Sequence, residues 1–100
     1  MTWEQKLEAL KALAPTEVRM RKPGDWYATN NAEIGGNGFL RGVPGNGSCP
    51  QEAVEALWFE LTELAFGQYL VVHAGPGDRS HWKWNGYRWE QLTIQRRDPA

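Results

Sequence analysis

One cysteine and two histidines come nearest to a nucleophile and base in this sequence: Cys49, His73 and His81. Cys49 lies at or beside the predicted start of a helix, a position that favours the reactive thiolate, and a histidine could accept its proton. No oxyanion donor and no orienting carboxylate can be assigned to them from the sequence. A cysteine-dependent enzyme is therefore the third-ranked hypothesis, and we predict a protein that is not an enzyme and has no catalytic residues.

Metal and phosphate binding lack their usual motifs. A single cysteine excludes an internal disulfide and a cysteine-based zinc site, and two histidines among scattered carboxylates define no metal site. The segment Gly45–Pro50 lacks the third glycine of G-x-G-x-x-G, and G-x-x-x-x-G-K-[ST] does not occur. We therefore predict no metal and no cofactor, and we assign the glycines to turn geometry.

A basic patch is the second candidate for chemistry. Residues 80–92 predict a β-hairpin with an Asn-Gly type I′ turn at its tip. Such a two-residue turn would place two basic side chains directly opposite each other on one face, which could bind an anion, a nucleotide or a nucleic acid. Because the net charge of the chain is -1, any such binding should be weak. The residues assigned to this basic face are Arg79, Lys83 and Arg88.

The opposite face of the same hairpin is aromatic. The two-residue turn places Trp82 opposite Trp89 and Trp84 opposite Tyr87, so four rings share one face. A row of rings can stack nucleic-acid bases and would then be a ligand platform. A small domain cannot easily leave four large rings in water, and we therefore expect them to pack on the central helix.

That central helix is predicted over residues 48–66 and is the clearest element of the sequence. Apolar side chains recur at helical spacing from Val54 to Ala65 and define a single stripe. Strand-like segments lie on both sides of it along the chain. We therefore expect a sheet to wrap around this helix.

Both ends of the central helix carry recognisable signals. Ser48 and Gln51 have the spacing of a capping box, whereas Cys49 as the N-cap with Pro50 in the first turn is an equal alternative. Gly67 can adopt the left-handed conformation that stops a helix. The two alternatives at the N-terminus remain open at this point.

Two phenylalanines of this helix are not explained by core packing. A rotation of about 100° per residue places Phe59 and Phe66 opposite the apolar stripe, among glutamates. Residues 2–14 predict a second helix with a narrow apolar seam that needs a partner. This helix could cover the two rings within one chain or across a dimer; otherwise the rings are available to another protein. The candidates for protein interaction are Phe59, Phe66, Glu55, Glu63, Trp3, Leu7 and Leu10.

The remaining segments predict strands and one linker. Residues 16–24 are polar and basic and are interpreted as a linker or an irregular edge. An antiparallel meander is expected over residues 25–43, and residues 69–74 should form a central strand. The three strands of the meander are predicted at 25–29, 32–35 and 39–43.

The predicted fold is α+β, in the element order α-β-β-β-α-β-β-β and in one domain over residues 1–100. A single antiparallel sheet of five to six strands should pack on the central helix, with the N-terminal helix nearby. No stretch approaches the roughly 18 apolar residues of a membrane span, and no signal peptide is visible. We therefore expect a cytoplasmic protein without membrane contact.

Several segments together resemble a family of uncharacterised small proteins of phages and bacterial prophages. They are the N-terminal helix, GDWYAT, EIGGNGFLRGVPGNG, PQEAVEALWFELTEL and KWNGYRWE, and they cover most of the chain. The resemblance carries no catalytic residues and implies a phage-encoded accessory protein in the cytoplasm of a host cell.

Two further resemblances concern parts of the chain. The helix–three strands–helix order of residues 2–65 resembles a double-stranded-RNA-binding domain, but Gln51, Glu52 and Glu55 stand where that domain needs a lysine cluster. The strand, G-x-G and P-x-E-A-helix portion is similar to HicB-type antitoxin domains, whereas the second half diverges.

The first-ranked function is therefore a non-enzymatic phage or prophage accessory protein that binds a host protein or self-associates. The alternative is weak nucleic-acid or nucleotide binding through the basic face of the hairpin.

Overall fold

The part of the chain that the structure describes folds into two helices and eight strands. The computed structural model describes residues 1–36 and 38–93. The elements are α1 (Trp3–Leu13), β1 (Thr16–Lys22), β2 (Asp25–Asn30), β3 (Glu33–Gly36), β4 (Phe39–Arg41), β5 (Gly45–Gly47), α2 (Pro50–Thr62), β6 (Tyr69–Gly75), β7 (Asp78–Trp84) and β8 (Trp89–Leu92).

The predicted α+β class is confirmed, but the strands form two antiparallel sheets instead of one. One sheet has three strands in the order β1-β2-β5, and the other has five in the order β4-β3-β6-β7-β8. The predicted meander is wrong, because β2 pairs with β1 and β5 on its two sides and therefore does not pair with β3. β6 lies in the middle of the larger sheet, as the sequence predicted for residues 69–74.

The interpretation of residues 16–24 as a linker is also wrong. Seven of these residues form β1, which pairs along its length with β2 from Thr16↔Asn30 to Lys22↔Asp25. Alternate residues of β1 differ in polarity, and Val18 on the inner side packs against the core. The charged side chains that suggested a loop lie on the solvent side of a paired strand.

Side-chain hydrogen bonds are present at both ends of helix α1. Thr2 Oγ1 accepts from the Gln5 N–H at 3.2 Å and Gln5 Oε1 accepts from the Thr2 N–H at 2.9 Å, which confirms the predicted capping box. At the other end, the amide nitrogen of the buried Asn30 lies 3.0 Å from the carbonyl oxygen of Leu10 and 3.2 Å from that of Ala14. Asn30 thereby ties β2 to the C-terminal end of α1, where the Leu10 carbonyl also accepts from the Ala14 N–H at 3.1 Å.

Helix α2 starts at the second of the two predicted alternatives. Cys49 is the N-cap, without a side-chain capping bond, and Pro50 occupies the first turn. The helix ends at Thr62, earlier than predicted, and Thr62 Oγ1 donates to the Trp58 carbonyl at 2.7 Å. Gly67 does adopt a positive φ of 83°, but it does so in a separate turn beyond the helix.

Glu52 completes the N-terminus of α2 in place of the predicted Gln51. Its carboxylate accepts from the Ser48 hydroxyl at 2.5 Å and from the Ser48 N–H at 2.9 Å. These two bonds, the hydroxyl bond first, hold the pKa of the Glu52 carboxyl below its usual value of 4.5. An ionised Glu52 therefore stabilises the first turn of α2.

Acid should weaken this turn. A carboxylate whose pKa is lowered by folding contributes stability above its unfolded pKa, and this contribution is lost as the pH falls through the folded pKa. We expect Glu52→Gln to lower the melting temperature at pH 7, and we expect the difference from the wild type to narrow well below pH 4.5. Circular dichroism melts with Glu60→Gln as the control check this, and an equal difference at both pH values would contradict it.

The core lies between α2 and the two sheets. It contains side chains from both helices and from both sheets, and Leu10, Val54, Leu57, Leu61 and Leu70 are fully buried. The predicted stripe of α2 therefore faces the core, apart from its last residue, Ala65, which is exposed. The full core cluster is Leu10, Ala28, Ile34, Ala53, Val54, Leu57, Leu61 and Leu70.

Strand β5 runs directly against the backbone of α2, which its glycines make possible. A Cβ added at Gly45 would lie 2.2 Å from the Ala53 carbonyl oxygen and 2.3 Å from the Leu57 nitrogen. A Cβ at Gly47 would lie 2.7 Å from the Ala53 nitrogen. The sequence suggested turn geometry as the role of Gly45 and Gly47. The structure shows instead that the missing side chains allow β5 to approach the backbone of α2 closely.

Three tryptophans join α2 to the end of the larger sheet. The ring centroid of Trp58 lies 4.8 Å from that of Trp84 and 5.7 Å from that of Trp89, and all three pairs meet edge to face. Trp89 Nε1 also donates to the Ala9 carbonyl of α1 at 2.8 Å. The prediction that the aromatic face of the hairpin packs on the central helix is confirmed for Trp84 and Trp89.

Within residues 1–36 and 38–93, no helix has the length and apolar character needed to cross a membrane.

Candidate functional site

The hairpin of β7 and β8 has a longer loop than the sequence predicted. Trp84 pairs with Trp89, and the Asn85 N–H donates to the Arg88 carbonyl at 3.1 Å, so the loop contains four residues. Asn85 Oδ1 accepts from the N–H groups of Tyr87 and Arg88 at 2.8 and 2.9 Å, which stabilises this loop. The predicted two-residue turn is therefore wrong.

The longer loop changes the charges that face each other. Lys83 lies opposite Glu90, and Arg88 lies in the loop, so the predicted repulsion between Lys83 and Arg88 does not exist. Tyr87 also leaves the aromatic face and is 91% exposed. Trp82, Trp84 and Trp89 still share one face, because the register moved by an even number of residues.

Arg79 and Lys83 lie on the side of the five-stranded sheet that faces away from α2. We call this side the outer face. Its residues alternate with the core-facing ones and include exposed His73, Arg79 and Lys83 and half-buried Tyr69 and His81. The register defines it as Glu33, Gly35, Leu40, Tyr69, Val71, His73, Arg79, His81, Lys83, Glu90 and Leu92.

Two contacts organise the outer face. His73 Nε2 on β6 and Glu33 Oε1 on the neighbouring strand β3 are 2.7 Å apart. The rings of Tyr69 and His81 meet edge to face with centroids 4.9 Å apart. The basic side chains predicted from the sequence therefore lie beside an aromatic pair, which the sequence did not predict.

Two adjoining clefts open on this face, and Tyr69, Arg79 and His81 line both. The larger one, about 1040 Å³, extends along β7 and β8 and contains Asp78. The smaller one has a volume of about 330 Å³ and is lined by both apolar and polar side chains. We call the smaller one the Tyr69 cleft; it is lined by Gly35, Gly36, Gly38, Phe39, Leu40, Gly67, Tyr69, Val71, Arg79 and His81.

All three phenylalanines of the protein are exposed. Phe66 is 100% accessible, Phe39 is 76% accessible and Phe59 is 63% accessible. In contrast, all six tryptophans are partly buried. Exposure of every phenylalanine is unusual for a domain this small, because such rings normally fill the core.

The prediction that helix α1 covers Phe59 and Phe66 within one chain is wrong. Its seam packs into the core of the same chain instead: Leu10 is fully buried, and Trp3 and Leu7 are partly buried against the core cluster. Residues 16–24 also cannot swing α1 outward as a free linker, because β1 is held by β2.

The two predicted acidic neighbours have different positions. Glu55 is half-buried at the contact of the helices, where its carboxylate lies 3.8 Å from Lys6 Nζ. Glu63 is the exposed C-cap of α2, and its N–H donates to the Phe59 carbonyl at 2.9 Å. Glu55 therefore faces Lys6 of α1, whereas Glu63 lies at the exposed end of α2 between Phe59 and Phe66 in sequence.

A contact of two glycines brings Phe39 and Phe66 to the same end of the molecule. A Cβ at Gly36 would lie 2.5 Å from the Gly67 carbonyl oxygen, so the two backbones touch. Phe39 is the cross-strand partner of Gly36, and Phe66 directly precedes Gly67. Phe59 lies on α2, seven residues before Phe66 in sequence, and we call the three exposed rings of Phe39, Phe59 and Phe66 together the phenylalanine surface.

The sequence did not predict Phe39 as a surface residue. Its neighbour Leu40 is also exposed, at 42%. Consecutive strand residues point to opposite faces, so two adjacent apolar residues in a three-residue strand cannot both face one core. That alternation was the signal that could have identified an exposed apolar side chain here.

The residues that could support other chemistry do not form a site of recognisable type. Cys49 is the N-cap of α2, whereas His73 and His81 lie on the outer face of the larger sheet. Across residues 1–36 and 38–93, no cluster of three or more histidine, cysteine, aspartate or glutamate side chains could hold a metal ion.

Comparisons with protein-family models, with curated proteins and with solved structures found no match to this chain.

Proposed function

We propose that this protein is a non-enzymatic binding protein whose docking site is the phenylalanine surface. The observation that carries the proposal is that all three phenylalanines are exposed while the tryptophans are packed. Burial of one phenylalanine side chain is worth about 1.5–3 kcal/mol, so a partner that covers these rings gains a large part of its binding free energy from them. Aromatic side chains are also enriched among residues that dominate binding energy.

The charge beside the rings indicates the kind of partner. Glu60, which directly follows Phe59, and Glu63, which is four residues after it, are exposed at the C-terminal end of α2. That end of α2 has no basic residue in its last turn. A partner with an apolar pocket bordered by lysine or arginine complements this arrangement.

The partner is either a host protein or a second copy of this chain. The resemblance to phage and prophage proteins favours a host protein, and the protein would then act as an accessory factor that modulates it. A second copy would instead place the phenylalanine surfaces of two chains against each other around a twofold axis.

Replacement of two of the rings tests the proposal. Phe59→Ser/Phe66→Ser should abolish capture of a discrete partner from a bacterial lysate, or should shift a dimer to a monomer in sedimentation velocity. Because both side chains are exposed, we expect the melting temperature to change little.

Tyr87→Ser is the matched control, since Tyr87 is an equally exposed aromatic residue in a different loop. It should leave partner capture and sedimentation unchanged. The proposal is wrong if the double variant retains the partner, or if both variants lose it to the same extent.

A further inference from the structure

The Tyr69 cleft combines an aromatic wall, an apolar floor and a positive rim. Tyr69 is half-buried, so part of its ring remains accessible, and its edge is fixed against His81 at 4.9 Å. A Cβ at Gly35 would lie 3.0 Å from Tyr69 Cε2 and 3.1 Å from Val71 Cγ2, so the absence of a side chain there leaves room for the ring. The Tyr69 ring therefore packs against Gly35, and its remaining accessible surface forms the aromatic wall of the cleft.

Arg79 gives the Tyr69 cleft a positive charge at its rim. Arg79 and His81 line it, and none of its described lining residues is acidic. Arg79 forms no ion pair within residues 1–36 and 38–93. Glu33 contacts His73, and Asp78, which precedes Arg79 in sequence, lines the adjoining larger cleft. An anionic group beside Arg79 would thus gain a charge-assisted hydrogen bond.

We propose that the Tyr69 cleft binds a nucleoside monophosphate. Tyr69 stacks on the base, Val71 and Leu40 line the apolar side, and the guanidinium of Arg79 binds the phosphate in a bidentate manner. The cleft volume of about 330 Å³ is at the small end of the range for ligand sites and suits one nucleotide rather than a polymer. Lys83 and Arg88, the two basic residues that the sequence placed opposite each other, do not line this site.

Isothermal titration of the full chain with AMP tests the proposal. We expect saturable binding with a dissociation constant below about 1 mM, and we expect adenosine and inorganic phosphate to bind at least about tenfold more weakly. Arg79→Gln should weaken AMP binding at least about tenfold, because the charge-assisted bond is lost. Arg19→Gln, in the other sheet, removes an arginine from the opposite part of the fold and should have little effect.

A second variant isolates the ring. Tyr69→Leu keeps an apolar side chain but should weaken AMP binding about tenfold through the loss of stacking. If this variant does not fold, the exposed Arg79 still provides the test, since its replacement should not affect folding. Phe59→Ser/Phe66→Ser should bind AMP normally, because neither ring lines the cleft, whereas Phe39 belongs to both the cleft and the phenylalanine surface.

Four results would overturn the proposal. They are a lack of AMP binding, binding that Arg79→Gln does not weaken, inorganic phosphate binding as tightly as AMP, and adenosine binding as tightly as AMP. Tighter binding of a single-stranded oligonucleotide than of AMP would replace the mononucleotide with a polymer as the ligand.

Discussion

Gly45→Ala is expected to prevent folding or to destabilise the protein by about 3 kcal/mol or more. The added Cβ would lie 2.2 Å from the Ala53 carbonyl oxygen, 2.3 Å from the Leu57 nitrogen and 2.8 Å from the Leu57 Cα. These are backbone atoms of a buried helix, so no change of rotamer relieves the overlap. Either α2 must move away from the core or β5 must leave β2. Urea denaturation followed by circular dichroism measures the loss.

Gly42→Ala is the matched control for this substitution. A Cβ at Gly42 meets no atom within 4 Å, and its φ is not in the left-handed region. We expect a neutral effect or a stabilisation of about 0.4–1 kcal/mol through the lower entropy of the unfolded chain. Equal stability of the two variants would show that β5 does not lie against α2 as described.

Trp58→Ala is expected to cost about 3–5 kcal/mol. The substitution removes the ring on which Trp84 and Trp89 pack and leaves a cavity between α2 and the larger sheet. Domains of this size have a total stability of roughly 5–15 kcal/mol, so the variant should be partly unfolded at moderate temperature. The free energy of unfolding from urea titration, together with near-ultraviolet circular dichroism of the tryptophans, measures this effect.

Phe59→Ala, one residue further along the same helix, controls for the change in helix propensity. Phe59 is 63% exposed, and its truncation should change stability by less than about 0.5 kcal/mol. Near-wild-type melting of Trp58→Ala would contradict the packing of the helix against the hairpin.

The two helices could be predicted because their signals are local. The Thr2–Gln5 capping box and the stripe that includes Leu57 and Leu61 depend only on residues a few positions apart. Helical phase also correctly placed Phe59 on the exposed side of α2. The same helical phase also predicted that Phe66 is exposed. Phe66 is exposed, but the reason is different, because α2 ends at Thr62 and Phe66 lies beyond it.

The division into two sheets could not be predicted, because it depends on contacts distant in sequence. Strand β5 consists of Gly45, Asn46 and Gly47, which have low strand propensity; it forms because β2 offers a partner and α2 comes close. Strand β1 was not recognised from the sequence, because its charged side chains resemble those of a solvated loop. Such tertiary effects override local propensity.

The candidate sites differ in the same way. The Asn-Gly pair indicated a two-residue turn, but the side chain of Asn85 accepts two backbone N–H groups and stabilises a longer loop. Because of this longer loop, Lys83 lies opposite Glu90, and Arg88 is not its cross-strand partner. The Tyr69 cleft depends on the order of β3, β6 and β7 in the sheet, which the sequence did not specify.

The hydrogen bond from Trp89 to Ala9 has a consequence for the synthesis of the protein. Its two residues are 80 positions apart, so α1 leaves the ribosome long before its partner exists. At a translation rate of about 5–20 residues per second, this delay is roughly 4–16 s. During that time the seam of Trp3 and Leu7 lacks this part of its final surroundings. Helix α1 can therefore complete its packing only after β8 has been synthesised.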